Sequence, residues 1–168
     1  NNSTIEFNGS GAQTIGAATF HILRINKSAG TAQLSPGAVT IQAAGSLDVA
    51  SGTLDTFTEV FINNGSTSIT GTITDSDTGG SNLFVGLVTI NSGGTWTFVA
   101  DIVTLRGGIT NSGGTFTGGT GVYTFDTNAQ ALTGTLSIPS VTVTGVTLTN
   151  NGALTVATAL IGTGGLTN

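Results

Sequence analysis

Val88-Thr-Ile-Asn-Ser-Gly-Gly-Thr-Trp-Thr-Phe98 alternates apolar and polar residues, bends through Asn-Ser-Gly-Gly, and alternates again. A period of two places Val88, Ile90, Trp96 and Phe98 on one side of an extended chain, and Thr89, Thr95 and Thr97 on the other. The phrase recurs as Val39-Thr-Ile-Gln-Ala-Ala-Gly-Ser-Leu-Asp-Val49 and as Val146-Thr-Leu-Thr-Asn-Asn-Gly-Ala-Leu-Thr-Val156, with looser versions starting at Val60 and Ile109. Each copy reads as strand, bend, strand. The closing glycine of the bend (Gly45, Gly94, Gly152) is expected to supply a positive φ that other residues adopt only at a cost.

Outward from these phrases the alternation continues, as in Ile5-Glu-Phe7 and Val141-Thr-Val143, and helical spacing is absent over any useful length. The chain is therefore expected to be all-β. Asn91-Ser-Gly-Gly-Thr95 returns as Asn111-Ser-Gly-Gly-Thr115, which sets a period of about 20 residues, the length of one coil of a stacked solenoid. Seven or eight coils at about 4.8 Å each would give a rod of about 35 to 40 Å. Ile5-Glu-Phe7, Gln13-Thr-Ile15 and Leu23-Arg-Ile25 are echoed by Tyr123-Thr-Phe125, Gln130-Ala-Leu132 and Val141-Thr-Val143. The reading is one domain over 1–168, a parallel β-solenoid of imperfect repeats with coils of about 20 residues. The competing architecture is an antiparallel β-sandwich or barrel, because Ala43-Ala44-Gly45 and Ser92-Gly93-Gly94 also fit three-residue hairpin loops.

Composition narrows the function. Three basic residues (Arg24, Lys27, Arg106) face eight acidic ones, and charged residues make up only 7% of the chain. Neither a phosphate backbone nor an anionic lipid surface finds a basic footprint, so nucleic acid and membrane insertion are not expected. No run of 18 apolar residues occurs, and the absence of cysteine removes disulfides and thiolate chemistry. The chain opens Asn1-Asn2-Ser3-Thr4, without Met or a signal-peptide pattern, and is expected to be a mature product or an excerpt. The 33 Thr and 14 Ser supply the outward faces in place of Lys and Glu, and such a surface repels its neighbours weakly.

Phe7-Asn-Gly-Ser-Gly-Ala-Gln-Thr-Ile15, Ser51-Gly-Thr-Leu-Asp55 and Ile161-Gly-Thr-Gly-Gly-Leu-Thr-Asn168 resemble the repeats of large secreted bacterial surface proteins. These are adhesins and autotransporter passenger regions of the filamentous-haemagglutinin type. The resemblance covers most of the chain. It implies a right-handed parallel β-helix, export, and adhesive or structural work at or beyond the cell surface, and it carries over no catalytic residue.

The ends suggest how such a rod would be used. From Thr127 to Asn168 no residue is charged, and the chain closes on strand-like Leu154-Thr-Val156 and Ala159-Leu-Ile161. Solenoids ordinarily blunt an open coil with charge, proline or a covering element. Written end to start, Leu166-Thr-Asn168 followed by Asn1-Asn2-Ser-Thr-Ile-Glu-Phe7 spells the phrase Leu148-Thr-Asn-Asn-Gly-Ala-Leu-Thr-Val156. Copies are thus expected to stack head to tail through Ile5, Phe7, Ile15, Leu154, Val156, Leu160, Ile161 and Leu166, unless the chain is one unit of a tandem array. The expected partner is a second copy, with glycans or other surface proteins as the partners of an adhesin.

Little else carries chemistry, and no enzyme or cofactor is expected. Asp75-Ser-Asp77-Thr-Gly-Gly80 partly matches a calcium loop but lacks its closing Glu, and an exposed turn is the plainer reading. His21 has no partner at ligand spacing. Arg24, Lys27, Asp48, Asp55 and Asp101 look scattered, which argues against carbohydrate cleavage. The pairs Thr56/Thr58, Thr72/Thr74, Thr95/Thr97, Thr115/Thr117, Thr142/Thr144 and Thr147/Thr149 could stack into a water-ordering ladder as in ice-binding solenoids, but their spacing is uneven, and strand propensity explains most Thr. Trp96, Phe98 and Phe116 read as core. Five sequons, starting at Asn1, Asn2, Asn8, Asn26 and Asn64, permit glycosylation without requiring it.

Overall fold

The computed structural model describes residues 3–168. Every strand pairing among them is parallel, which removes the antiparallel alternative and establishes a β-solenoid. Each coil contributes one short strand to each of three faces. Face A runs through residues 4–7, 22–25, 46–49, 66–69, 88–90, 109–111, 130–133, 147–151 and 165–167. Face B runs through 13–15, 31–34, 53–55, 72–75, 95–98, 115–117, 135–138 and 153–156. Face C runs through 18–20, 39–41, 60–63, 81–84, 102–105, 122–125, 140–143 and 159–162. Eight coils at about 4.8 Å make a rod of about 38 Å.

The coil is not a fixed length. It advances by 18 residues where Thr4 lies beside Ile22, and by 24 where Ile22 lies beside Ser46. The strands keep register because the corners between faces absorb the difference. Pro139 sits at one such irregularity, between Ile138 and Ser140, where its missing N–H breaks no regular ladder.

Alternation fills the lumen. Leu23, Leu47, Val88, Ile109 and Leu132 stack on face A, and Val39, Phe61, Val103, Tyr123 and Val141 on face C, all fully buried. The aromatic residues gather in the middle coils. Trp96 stacks on Phe98 at 4.3 Å and lies 5.2 Å from Phe84, and its Nε1–H donates to the Tyr123 hydroxyl at 3.0 Å. Trp96 and Phe98 are buried and Phe116 packs against the core from partial exposure, as alternation predicts.

Two features depart from the sequence reading. The repeated phrase is not one structural position: Val39–Val49 crosses from face C to face A, whereas Val88–Phe98 and Val146–Val156 cross from face A to face B. The three faces thus accept the same local code. The glycine role also moves. Positive φ falls one residue earlier than expected, at Ala44 (62°) and Gly93 (84°), and the closing glycines are needed instead for close approach. A Cβ on Gly65 would strike the carbonyl of Gly45 in the coil below, and one on Gly45 would strike that of His21.

Candidate assembly interface

The inward rows stay sealed through the body of the rod and open at its two ends. On face B, Leu136 and Ile138 are 1% and 0% exposed, while Leu154 and Val156, which stack on them in the last coil, are only partly buried. On face C, Val141 is fully buried and Leu160 above it is 49% exposed. Leu166 lies over buried Leu148 on face A at 36% exposure. At the opposite end Ile5 is 45% exposed, against 0% for Leu23 in the next coil, and Phe7 is partly buried. Six of the residues singled out from sequence therefore belong to core rows that are cut open.

The other two sit differently. Ile15 pairs beside Leu34 and is already buried, so it is not open at the end of the rod. Ile161 partners Thr142, whose row faces outward, so its exposure belongs to the flank of face C and not to the end. The end-to-start phrase runs through Asn1 and Asn2, which lie outside the described residues, as do the sequons starting there.

The edges themselves are unequal. At the C-terminal end Gly165–Thr167 already covers residues 147–149 of face A, and the Asn150 side chain donates to Asn168 Oδ1 at 2.9 Å. No described strand covers the outer edges of 153–156, 159–162 and 165–167. At the other end 4–7, 13–15 and 18–20 are paired only to the second coil.

All three basic side chains are engaged. Arg24 lies between Glu6 (3.9 Å) and Asp48 (3.2 Å) on face A, and Arg106 grips Asp126 with Nε at 2.7 Å and a terminal nitrogen at 3.2 Å. This contact holds the Asp126 carboxyl below its ordinary pKa. Lys27 is 2% exposed and donates from Nζ to the carbonyls of Gly9 and Gly11 and to Gln13 Oε1, at 2.9, 2.8 and 2.6 Å. An ammonium thus ties down the long first corner without any carboxylate.

The structure sets Asp75 and Asp77, the partial calcium-loop match, in different surroundings. Asp75 ends the strand Thr72–Asp75 with its side chain inside the rod, fully buried, whereas Asp77 is exposed and accepts from Thr78 N–H at 2.8 Å. The two carboxylates do not converge, and Asp75 is not an exposed turn residue either. No group of three metal-binding side chains occurs among the described residues.

The structure does bring Asp55, Asp75 and Asp101, which look scattered in sequence, to the corner between faces B and C on successive coils. Asp55 accepts from Phe57 and Ser76 N–H, from Ser76 Oγ and from the Gln33 amide. Asp101 Oδ1 accepts from Gly79 and Gly80 N–H at 2.8 and 3.0 Å, and Asp101 N–H donates to Asp75 Oδ2 at 3.3 Å. Burial first, and the charge of Asp101 second, push the Asp75 carboxyl up from 3.8 to about 6. These carboxyls cap corner amides. The signal for them in sequence was only an Asp at the end of a strand followed by turn residues.

Uneven spacing also conceals an ordered flank. Thr31, Thr53, Thr72, Thr95 and Thr115 fall side by side on the outside of face B, with Thr74, Thr97 and Thr117 in the row beside them. Thr56 is buried, and the remaining pairs lie on other faces. His21 stands half-buried at the corner between faces C and A, beside a shallow depression lined by Ser3, Ile5 and Gln42.

The strand pairings define a three-faced parallel β-solenoid whose end coils have open edges among the described residues. No protein-family model, curated protein or solved structure matches this chain.

Proposed function

We propose that the chain is a structural solenoid that extends itself by stacking copies end to end into a filament or surface fibre outside the cell. The observation that carries this is the opening of sealed core rows at both ends, at Ile5, Leu154, Val156, Leu160 and Leu166, beside strand edges whose N–H and C=O groups have no partner strand among the described residues. Such edges recruit strands, and a head-to-tail contact that does not close produces a fibre. The absence of charge after Asp126 removes the usual device that opposes it. The extracellular setting rests on the resemblance of the repeats to secreted surface proteins. An adhesin needs an exposed aromatic or acidic cluster, whereas the large hydrophobic side chains exposed here are aliphatic and Asp55, Asp75 and Asp101 are buried.

Electron microscopy and sedimentation of the 168-residue chain across a concentration series test the proposal. Uniform filaments that add one subunit about every 40 Å along the axis are expected. Leu160→Lys should leave the β-rich circular dichroism intact and abolish them, because a charge would enter an apolar junction. Discrete monomers at every concentration would overturn the reading.

The in-register Thr rows of face B favour a second reading, a flank that orders water against ice. Ice-growth inhibition by the Leu160→Lys chain that disappears on adding Thr95→Lys would support it, and no inhibition by either would remove it.

A further inference from the structure

The open edges also fix how one copy must meet the next. We infer that a second copy docks rotated by one face, its face A strand 4–7 lying on face B residues 153–156 of the copy below. This rests on the end-to-end reading and specifies its geometry. Stacking in phase, with 4–7 on face A of the last coil, is blocked because Gly165–Thr167 already pairs along 147–149. Advanced by one face, the three strands 4–7, 13–15 and 18–20 meet the three free edges 153–156, 159–162 and 165–167 in order, which is the path a continuing coil would take.

Side-chain parity agrees. Ile5 and Phe7, which belong to the inward row continued by Leu23 and Ile25, fall over Leu154 and Val156, inward in theirs. Residues 13–15 then cover Leu160, and 18–20 cover Leu166, so each core-row residue left open at the C-terminal end acquires a neighbour. The body of the rod already tolerates displacement by one face, there in the opposite sense. Ile5-Glu-Phe7 and Leu23-Arg-Ile25 lie on face A, while their echoes Tyr123-Thr-Phe125 and Val141-Thr-Val143 lie on face C. The end-to-start phrase, which sets Ile5 and Phe7 against Leu154 and Val156 when one extra residue is allowed in the bend, spells the same advance.

Glu6 then stacks directly on Thr155 of the copy below, whereas in-phase docking would set it on Asn151. All three are exposed, and the chain has no cysteine. Stacked positions about 4.8 Å apart fall within the Cα separation a disulfide spans. Single variants Glu6→Cys, Thr155→Cys and Asn151→Cys are mixed pairwise under mild oxidation, and the linked peptides are identified by mass. The expected result is a 6–155 heterodimer at least tenfold above 6–151. Dominant 6–151 linkage would overturn the rotation and leave end-to-end stacking standing. Neither linkage in a sample that sediments as oligomers would also overturn it, and neither linkage with monomers throughout would overturn both.

Discussion

Asp75 makes the stability of the rod depend on pH in an unusual direction. Its carboxyl is fully buried beside Asp101, and its pKa rises from 3.8 to about 6. The folded state therefore holds the proton more tightly than the unfolded chain does. The resulting stabilisation is complete below 3.8 and is lost as pH rises through about 6. About two pKa units correspond to about 3 kcal/mol at the limit, of which about 1.4 kcal/mol separates pH 5 from pH 8. Asp126, held low by Arg106, works in the opposite sense, but its contribution is lost only as pH falls below the ordinary carboxylate range, outside this window. The assay is urea unfolding followed by circular dichroism at pH 5, 6, 7 and 8, in the Leu160→Lys background so that the proposed end-to-end contact does not contribute. The urea midpoint should fall mainly between pH 5 and pH 7 and level off by pH 8. In Asp75→Asn, whose amide oxygen can still accept from Asp101 N–H, the slope should vanish and the midpoint at pH 8 should exceed that of the parent. Parallel pH profiles for the two proteins would refute the reasoning, because they would mean that Asp75 is ionised in the folded rod at ordinary cost.

Other perturbations test the remaining devices. Lys27→Met leaves two carbonyls and an amide oxygen without their donor and should cost about 2 to 3 kcal/mol; limited proteolysis should then cut first within residues 8–12, and unchanged cleavage would count against the tether. Gly65→Ala drives a methyl into the Gly45 carbonyl and should destabilise by about 2 to 3 kcal/mol, whereas Gly165→Ala, where a Cβ meets nothing, should be nearly neutral in the same melts. Arg106→Ala should cost only about 0.5 to 1 kcal/mol, since the pair with Asp126 is partly exposed, and a double-mutant cycle with Asp126→Asn reads the coupling directly.

The architecture was legible because the signal for it is local and repeated. Val88-Thr-Ile and Thr95-Trp-Thr-Phe98 state which side chains face inward, and the same statement recurs often enough to require stacked coils. Parity survives any change in corner length, so the core rows could be named without knowing the register. Register could not be read in the same way. The step from Thr72 to Thr95 is 23 residues and that from Thr95 to Thr115 is 20, yet the three stack, because the corners take up the difference. A ladder that looks irregular along the chain is therefore regular in space.

The same reasoning explains which parts of the candidate interface were hidden. Ile161 and Leu160 are adjacent and equally apolar, and their roles divide only when the partner strand is known: Leu160 continues the inward row of Val141, and Ile161 the outward row of Thr142. Asp55, Asp75 and Asp101 lie far apart in sequence, and only the stacking of coils of unequal length brings them to one corner. What the sequence held without revealing was the interchangeability of the faces. Because a strand phrase fits face A as readily as face C, a repeat can be displaced by one face without altering its inward residues. That freedom lets a rod whose face A edge is already taken by Gly165–Thr167 still offer three free edges to a second copy, and the disulfide test at Glu6 asks whether the chain uses it.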